Sequence, residues 1–417
     1  MKKIMKCVVP TVLAVSLAAM PSMAYAETFV PSPAARYSPE ITAKLEDNVM
    51  EYGEIEMLID TYNSSLKNLR EQYRDKKDSM SDIDKVKDQI YDGADQLQDA
   101  AEQMSDAALS MESMLGYEIP MMGVSVLPSA YAELVFNAAV MENQAEQMLL
   151  SVDQLTEMTP EMMKIQMVDS PRAAMISGAQ SLLIAYENLL IQKGTLMESI
   201  ALAEAGVQTA ERMAAAGMGT QSAVNSAKQG LSSAKAGLIT LEANEVNLRQ
   251  QLCTMLGWAY DASPEIPEIP AADMARVDAM NPEADIQTAV QNNWTLKYNR
   301  LSEETMKNGT VQKENLYRTM KAQEAEIAVS MTKLYNTVLQ ERNNFYNAQT
   351  ALETERGNYA EAERRHSLGM LSNMELMQKK NAFVSAEAKV RTSELTLLQA
   401  IETYEWAVKG NLTLTQK

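Results

Sequence analysis

Ala210-Glu211-Arg212-Met213-Ala214-Ala215-Ala216-Gly217-Met218-Gly219-Thr220 decides the fold of this chain. A long helical pattern runs into it, Gly-Met-Gly-Thr interrupts, and a second long helical pattern runs out. The arrangement then recurs: Ala362-Glu363-Arg364 leads through His366-Ser367-Leu368 to Gly369-Met370-Leu371-Ser372. Gly217 and Gly369 are 152 residues apart (369 − 217), and that offset also sets Val224 on Leu376, Lys228 on Lys380, Leu231 on Phe383, Ser233 on Ser385, Ala234 on Ala386 and Leu238 on Val390. One offset that keeps turn and apolar phase together marks an internal duplication, which fixes architecture before any residue chemistry is argued.

The arms beside the first turn are regular. Ala179, Leu182, Tyr186, Leu189, Leu196, Ile200, Ala203, Val207, Ala210 and Ala214 step by three and four on the way in, with Lys193 as the exception. Val224, Ala227, Leu231, Ala234, Leu238, Leu241, Leu248, Leu252 and Met255 do so on the way out, with Glu245 as the misfit. Spacing of this kind over several heptads predicts a coiled-coil seam. The arm from Arg172 to Ala216 would extend roughly 65 Å at 1.5 Å per residue. The fold class expected is all-α: duplicated long antiparallel coiled-coil hairpins with little or no β-structure.

Outward from the turns, the organisation reads as follows. Residues 1–26 have a basic start (Lys2, Lys3, Lys6), a short apolar run and Ala24-Tyr25-Ala26, the pattern of a secretory signal peptide. Residues 27–39 form an extended leader. Residues 40–257 make the first repeat, with arms at about 172–216 and 220–257. Helix is expected almost unbroken from Glu40 to Leu115, with Gly53 and Gly93 as weak points and one short strand at Met121–Leu127. Ser-Pro-Glu-Ile-Pro-Glu-Ile-Pro (263–270) centres an extended joint over 258–281. Asn281-Pro282 then caps and starts the second repeat, 282–410, with arms at about 311–368 and 372–409. Residues 411–417 are a tail. No stretch beyond residue 26 is expected to span a membrane as a helix.

Composition narrows function. Among 417 residues, few glycines (16) and prolines (13) and only 6% aromatics favour long helices. The net charge of −19 becomes −22 once three lysines and no acids are removed with residues 1–26, which argues against nucleic acid and anionic membrane as partners. Cys253 is the only cysteine after residue 26, so no intramolecular disulfide forms in the mature chain. The one histidine, His366, sits where a helix C-terminus favours it, and Cys253 lies between seam residues. No enzyme and no cofactor are expected. The methionines Met111, Met114, Met121, Met122, Met158, Met162, Met163 and Met167 read as adaptable packing; soft ligands for Cu(I) are the alternative.

The duplicated hairpins, their Gly tips followed by Thr220 or Ser372, Leu256-Gly257-Trp258, the Pro-rich joint and the Asn-Pro restart resemble the TolC-type outer-membrane efflux proteins. The resemblance covers about Ile176–Trp258 and Asn281–Lys409. It implies a homotrimeric helical conduit in the cell envelope whose tips dock a membrane-fusion adaptor, linked to an ABC or proton-driven pump. The docking residues it implies are Arg212, Gly217, Met218, Gly219, Thr220, Arg364, Gly369, Met370, Leu371 and Ser372. Glu375, followed by Gln378, takes the place of lumen-facing acids. Leu371 stands where some members carry a locking arginine. The family's barrel strands have no room here: Gly116–Pro128 and Asn308-Gly309 are too short for strand pairs of about 10 residues each. The chain therefore reads as a barrel-less relative, with a non-transporting coiled-coil protein of the envelope as the rival.

Overall fold

A computed structural model describes residues 37–115, 137–146, 158–306 and 308–414. The segment expected to be a signal peptide (1–26) and the expected strand Met121–Leu127, with Met121 and Met122, lie outside the described residues. The chain divides by contact into Met1–Lys44 and Leu45–Lys417. In the first unit, Ser38 precedes helix α1 (Pro39–Leu45), and its hydroxyl accepts from the Ile41 amide. The second unit holds the rest of the described chain.

Its elements are a 3₁₀ turn at Tyr52–Glu54, α2 (Ile55–Tyr62), α3 (Ser64–Leu115), α4 (137–146), α5 (Pro160–Lys164), α6 (Ser170–Ala215), α7 (Gln221–Leu256), α8 (Met274–Asp278), α9 (Pro282–Asn292), α10 (Trp294–Thr305), α11 (Val311–Ser367) and α12 (Asn373–Val408). Among the described residues the one β-pairing is a bridge between Val49 and Glu265. The unbroken helix expected from Glu40 is in fact interrupted before α2 and again at Asn63, because Asn63 leaves the helix to cap α3. The joint also holds α8, which its prolines did not suggest. Pro171 does not end a helix: a π turn, Ile165–Asp169, leads directly into α6. A wider turn relieves the clash between a proline ring and the carbonyl four residues back.

Four long helices pack in the order α7, α6, α12, α11. Within the first hairpin, three ion pairs step along the arms: Lys193 with Glu245 at 2.8 Å, Glu204 with Lys235 at 2.7 Å and Glu211 with Lys228 at 2.8 Å. The two residues that break the apolar pattern, Lys193 and Glu245, are thus each other's partners. The second hairpin is registered instead by Tyr359 stacked on Phe383 at 5.5 Å and by Tyr335 against Tyr404 at 6.2 Å.

α6 departs from a narrow seam. Leu183, Ile184 and Glu187 are buried together with the seam residues Tyr186 and Leu189, because α6 packs on α12 as well as α7. The same widening corrects the expectation that nothing past residue 26 is apolar enough to span a membrane. The run Pro160–Ala215 reaches a mean hydropathy of 1.2 over 18 residues, but this stretch serves contacts on two sides.

The bases of the hairpins carry a second duplication. Asn63-x-x-Leu66-Lys67-x-x-Arg70 recurs as Asn293-x-x-Leu296-Lys297-x-x-Arg300, 230 residues later (293 − 63). Each asparagine is buried and caps the next helix, accepting from Leu66 N at 2.7 Å or Leu296 N at 3.1 Å. Each also donates to the end of its hairpin: Asn63 to Met255 O at 2.7 Å, Asn293 to Leu412 O at 3.0 Å. The bond to Met255 satisfies a carbonyl in the last turn of α7 that the helix end would otherwise leave without a partner. The arginines repeat as well, Arg70 reaching Asp60 O and Arg300 reaching Val290 O. Gly257 and Gly410, both at positive φ, let the hairpin ends press onto these kinks.

That contact yields a test. A Cβ at Gly410 would lie 2.2 Å from Asn292 O, whereas one at Gly217 meets nothing within 4 Å. Gly217→Ala should cost only the left-handed backbone penalty, about 1–2 kcal/mol. Gly410→Ala should cost clearly more, read as a larger fall in denaturation midpoint by circular dichroism; equal costs would contradict the base packing.

Candidate functional site

The two tips are built alike. At the first, Gly217 (φ 74°) follows α6, its amide donates to Ala214 O at 3.1 Å, and Met218 N reaches back to Met213 O at 2.8 Å. At the second, Gly369 (φ 72°) donates to His366 O at 2.9 Å and Met370 N to Arg365 O at 2.8 Å. Both are Schellman endings, in which only glycine takes the left-handed position without penalty. The apolar residue after the glycine commonly packs back on the helix in this motif. Here Met218 and Met370 stand out instead, 73% and 69% exposed, with Leu368 and Met213 exposed beside them.

The restarting helices are capped differently. Thr220 Oγ1 accepts from Ala223 N at 3.2 Å. Ser372 Oγ accepts from Glu375 N at 3.2 Å, and Glu375 Oε2 in turn accepts from Ser372 N at 3.0 Å and Ser372 Oγ at 2.8 Å. This is a full capping box. Hydrogen bonds from the Ser372 backbone and hydroxyl hold the Glu375 carboxyl below the usual glutamate range. Gln378 is exposed one turn further on. Position 219 is tight, since a Cβ there would sit 3.1 Å from Ala214 N. Its counterpart in the second tip is Leu371, so the tips differ in bulk as well as charge. Arg364 pairs with Glu361 at 2.8 Å, its carbonyl closing the last turn of α11; Arg212 lies exposed at the matching place.

Other residues singled out by type are not part of the docking set. His366 is in the last turn of α11. Cys253 is buried near the base, 3.6 Å from Ala262 O, and burial pushes its thiol up, against the opposing effect of Arg249. Met162 and Met163 are core residues of α5.

Residues not anticipated from the sequence lie along the outer helices. Ile239 and Val246 on α7, and Val311, Tyr317, Val329 and Tyr346 on α11, are large, apolar and exposed. The signal was there: Ile239 and Val246 fall beside the seam positions Leu238 and Leu248, where a solvated face would carry charge.

No family model matches the chain, and no curated protein does. Among solved structures, it is similar to the CmeC outer membrane channel of Campylobacter jejuni (12% identity; 66% of this chain, 69% of that one; TM-score 0.38). It is also similar to the outer membrane protein VceC of Vibrio cholerae (13%; 76% and 96%; 0.39) and to the outer-membrane channel OprN (14%; 92% and 98%; 0.38).

The unlike caps make the tips respond differently to acid. A depressed folded-state value means that the carboxylate's contribution is present above the unfolded glutamate value and is lost as pH falls through the folded one. The Ser372 amide resonance should therefore titrate below the ordinary glutamate range while the Thr220 amide stays put in an ¹H–¹⁵N series. Equal movement of both would contradict the capping-box reading.

Proposed function

We propose that this chain is an exported, TolC-like efflux or secretion component of the cell envelope. Three copies close into a helical conduit through the outer edges of the four-helix layer. The tips dock a membrane-fusion adaptor, which links the conduit to an ABC or proton-driven pump. The observation that carries this reading is the pairing of an open layer with duplicated projecting tips. The long helices follow one another as α7, α6, α12, α11, and both outer members keep large apolar residues exposed. Single exposed apolar side chains are ordinary, but rows on both edges of one layer suit association. A heterologous contact of one edge with the other generates a ring when its rotation closes.

At the tips, Met218 and Met370 offer unbranched, polarisable side chains at matched positions, suited to filling pockets on a partner. Arg212 and Arg364, five residues before each glycine, add a cation at each. The docking set is these four residues together with Gly217, Gly219, Thr220, Gly369, Leu371 and Ser372. Glu375 and Gln378 face the conduit at the second tip. The docking role and the conduit role separate by mutation.

Native mass spectrometry of the mature chain should give the mass of three copies. Ile239→Asp combined with Val329→Asp should give single copies with unchanged helicity. Met218→Asp with Met370→Asp should keep the trimer and weaken capture of an adaptor encoded beside it at least tenfold, about 1.4 kcal/mol. A wild-type chain that stays single and captures no adaptor would favour the structural coiled-coil protein instead.

A further inference from the structure

The two duplications have different offsets, 230 residues at the bases and 152 at the tips, so the first half carries 78 residues (230 − 152) that the second lacks. The structure locates them. α10 ends at Thr305, whose counterpart in α3 is Asp75. α3 runs on for 40 residues past that point (115 − 75), about 60 Å of helix. The halves come back to within one residue of the tip offset where Thr310 caps α11 and Thr159 caps α5 (310 − 159 = 151). Residues 76–158 therefore stand where the second half has only residues 306–310.

This added length has its own seam. On α3, Ala94 and Ala101 are buried while Asp92, Asp95, Gln96, Gln98, Asp99 and Glu102 around them are exposed. On α4, Ala138 and Ala145 are buried among exposed neighbours. Both alanine pairs are seven residues apart, one heptad, and a helix exposed on its other sides buries an alanine completely only under a close neighbour. Equal spacing on both helices fits one antiparallel pairing, Ala94 opposite Ala145 and Ala101 opposite Ala138.

We propose that the sequence added between Asp75 and Thr159 is an insertion in which the distal part of α3, up to Leu115, zips antiparallel on α4 (137–146) in that register. It is structurally separate from the hairpin layer and added at the layer's end opposite the tips. Asp88, Asp92, Asp95, Asp99, Glu102 and Asp106 run along the outside of α3 at alternating spacings of four and three, all exposed. Like charges along that face keep the arm in water and disfavour its pairing with the same face of another copy. The module is independent of the conduit reading, and neither its fold nor its test requires a pump or an adaptor.

Cysteine pairs in the full chain, in a Cys253→Ser background, test the register. Ala94→Cys with Ala145→Cys, and Ala101→Cys with Ala138→Cys, should each form a disulfide within one chain on mild oxidation, since antiparallel alanine seams bring Cα atoms into bridging range. Ala94→Cys with Ala138→Cys should not. Bridges between chains, no bridge in either matched pair, or equal bridging in the mismatched pair would overturn the proposal. A companion variant with residues 76–158 replaced by the sequence of 306–310 should remain folded, with its thermal midpoint within a few degrees of the full chain; loss of cooperative unfolding would overturn the claim of separateness.

Discussion

The contact on which the layer depends is the one between Glu187 of α6 and Arg391 of α12. Arg391 Nε donates to Glu187 Oε1 at 2.7 Å, and its guanidinium also reaches Glu394 at 2.7 Å and Ile269 O at 2.6 Å. The second oxygen of Glu187 accepts from Ile269 N at 2.7 Å. Both hairpins and the joint between them are thus tied through one buried carboxylate. Breaking a buried pair by removing one partner commonly costs about 3–5 kcal/mol, because the other charge is left uncompensated. Hairpins registered only within themselves could slide past each other; this knot, with Lys380 on Glu198, Gln399 on Ser181 and Trp406 on Gln180, fixes α6 against α12. Arg276 adds a clamp from α8 onto Glu402 and Glu405.

Duplication supplied the parts, and divergence made them one layer. Lys228 and Lys380 occupy equivalent positions. The first stays inside its hairpin, on Glu211, while the second crosses to Glu198 of the other half. Glu363, the counterpart of Glu211, is left to Tyr359 and raises that phenol's affinity for its proton by hydrogen bonding, with burial and its charge adding to the effect. A similar exchange occurs at the base. Asp60 receives both Arg70 and Arg172; burial alone would raise its carboxyl, but the two guanidiniums overcome that and hold it below the ordinary aspartate range. Its counterpart, Val290, has no such chemistry, and there the arginine takes the backbone oxygens of Val290 and Gln291, with Glu324 as a more distant ion partner at 3.9 Å.

Much of this was legible before any coordinates. The 3,4 seam gave hairpins, and the glycine turns gave their ends, because both signals are local. The second packing face of α6 was not legible, since Leu183, Ile184 and Glu187 acquire meaning only when α12 arrives from 200 residues away. Lys193 and Glu245 each looked like a fault in a seam; folding the hairpin makes them a pair. The base motif was written in the sequence twice, but at an offset of 230 that differs from the 152 of the tips, because the first half is the longer. Of the candidate site, the tip residues could be named, whereas the exposure of their methionines and the engagement of Glu375 in a cap depend on geometry.

The open layer and its projecting tips lead to one claim above the others, that the chain works as an assembled conduit. Electron micrographs of the purified mature chain test it most directly. The account predicts three-fold particles in which a ring of long helices, four from each copy, surrounds a continuous lumen. Particles of one copy, with no lumen at any concentration tested, would contradict it.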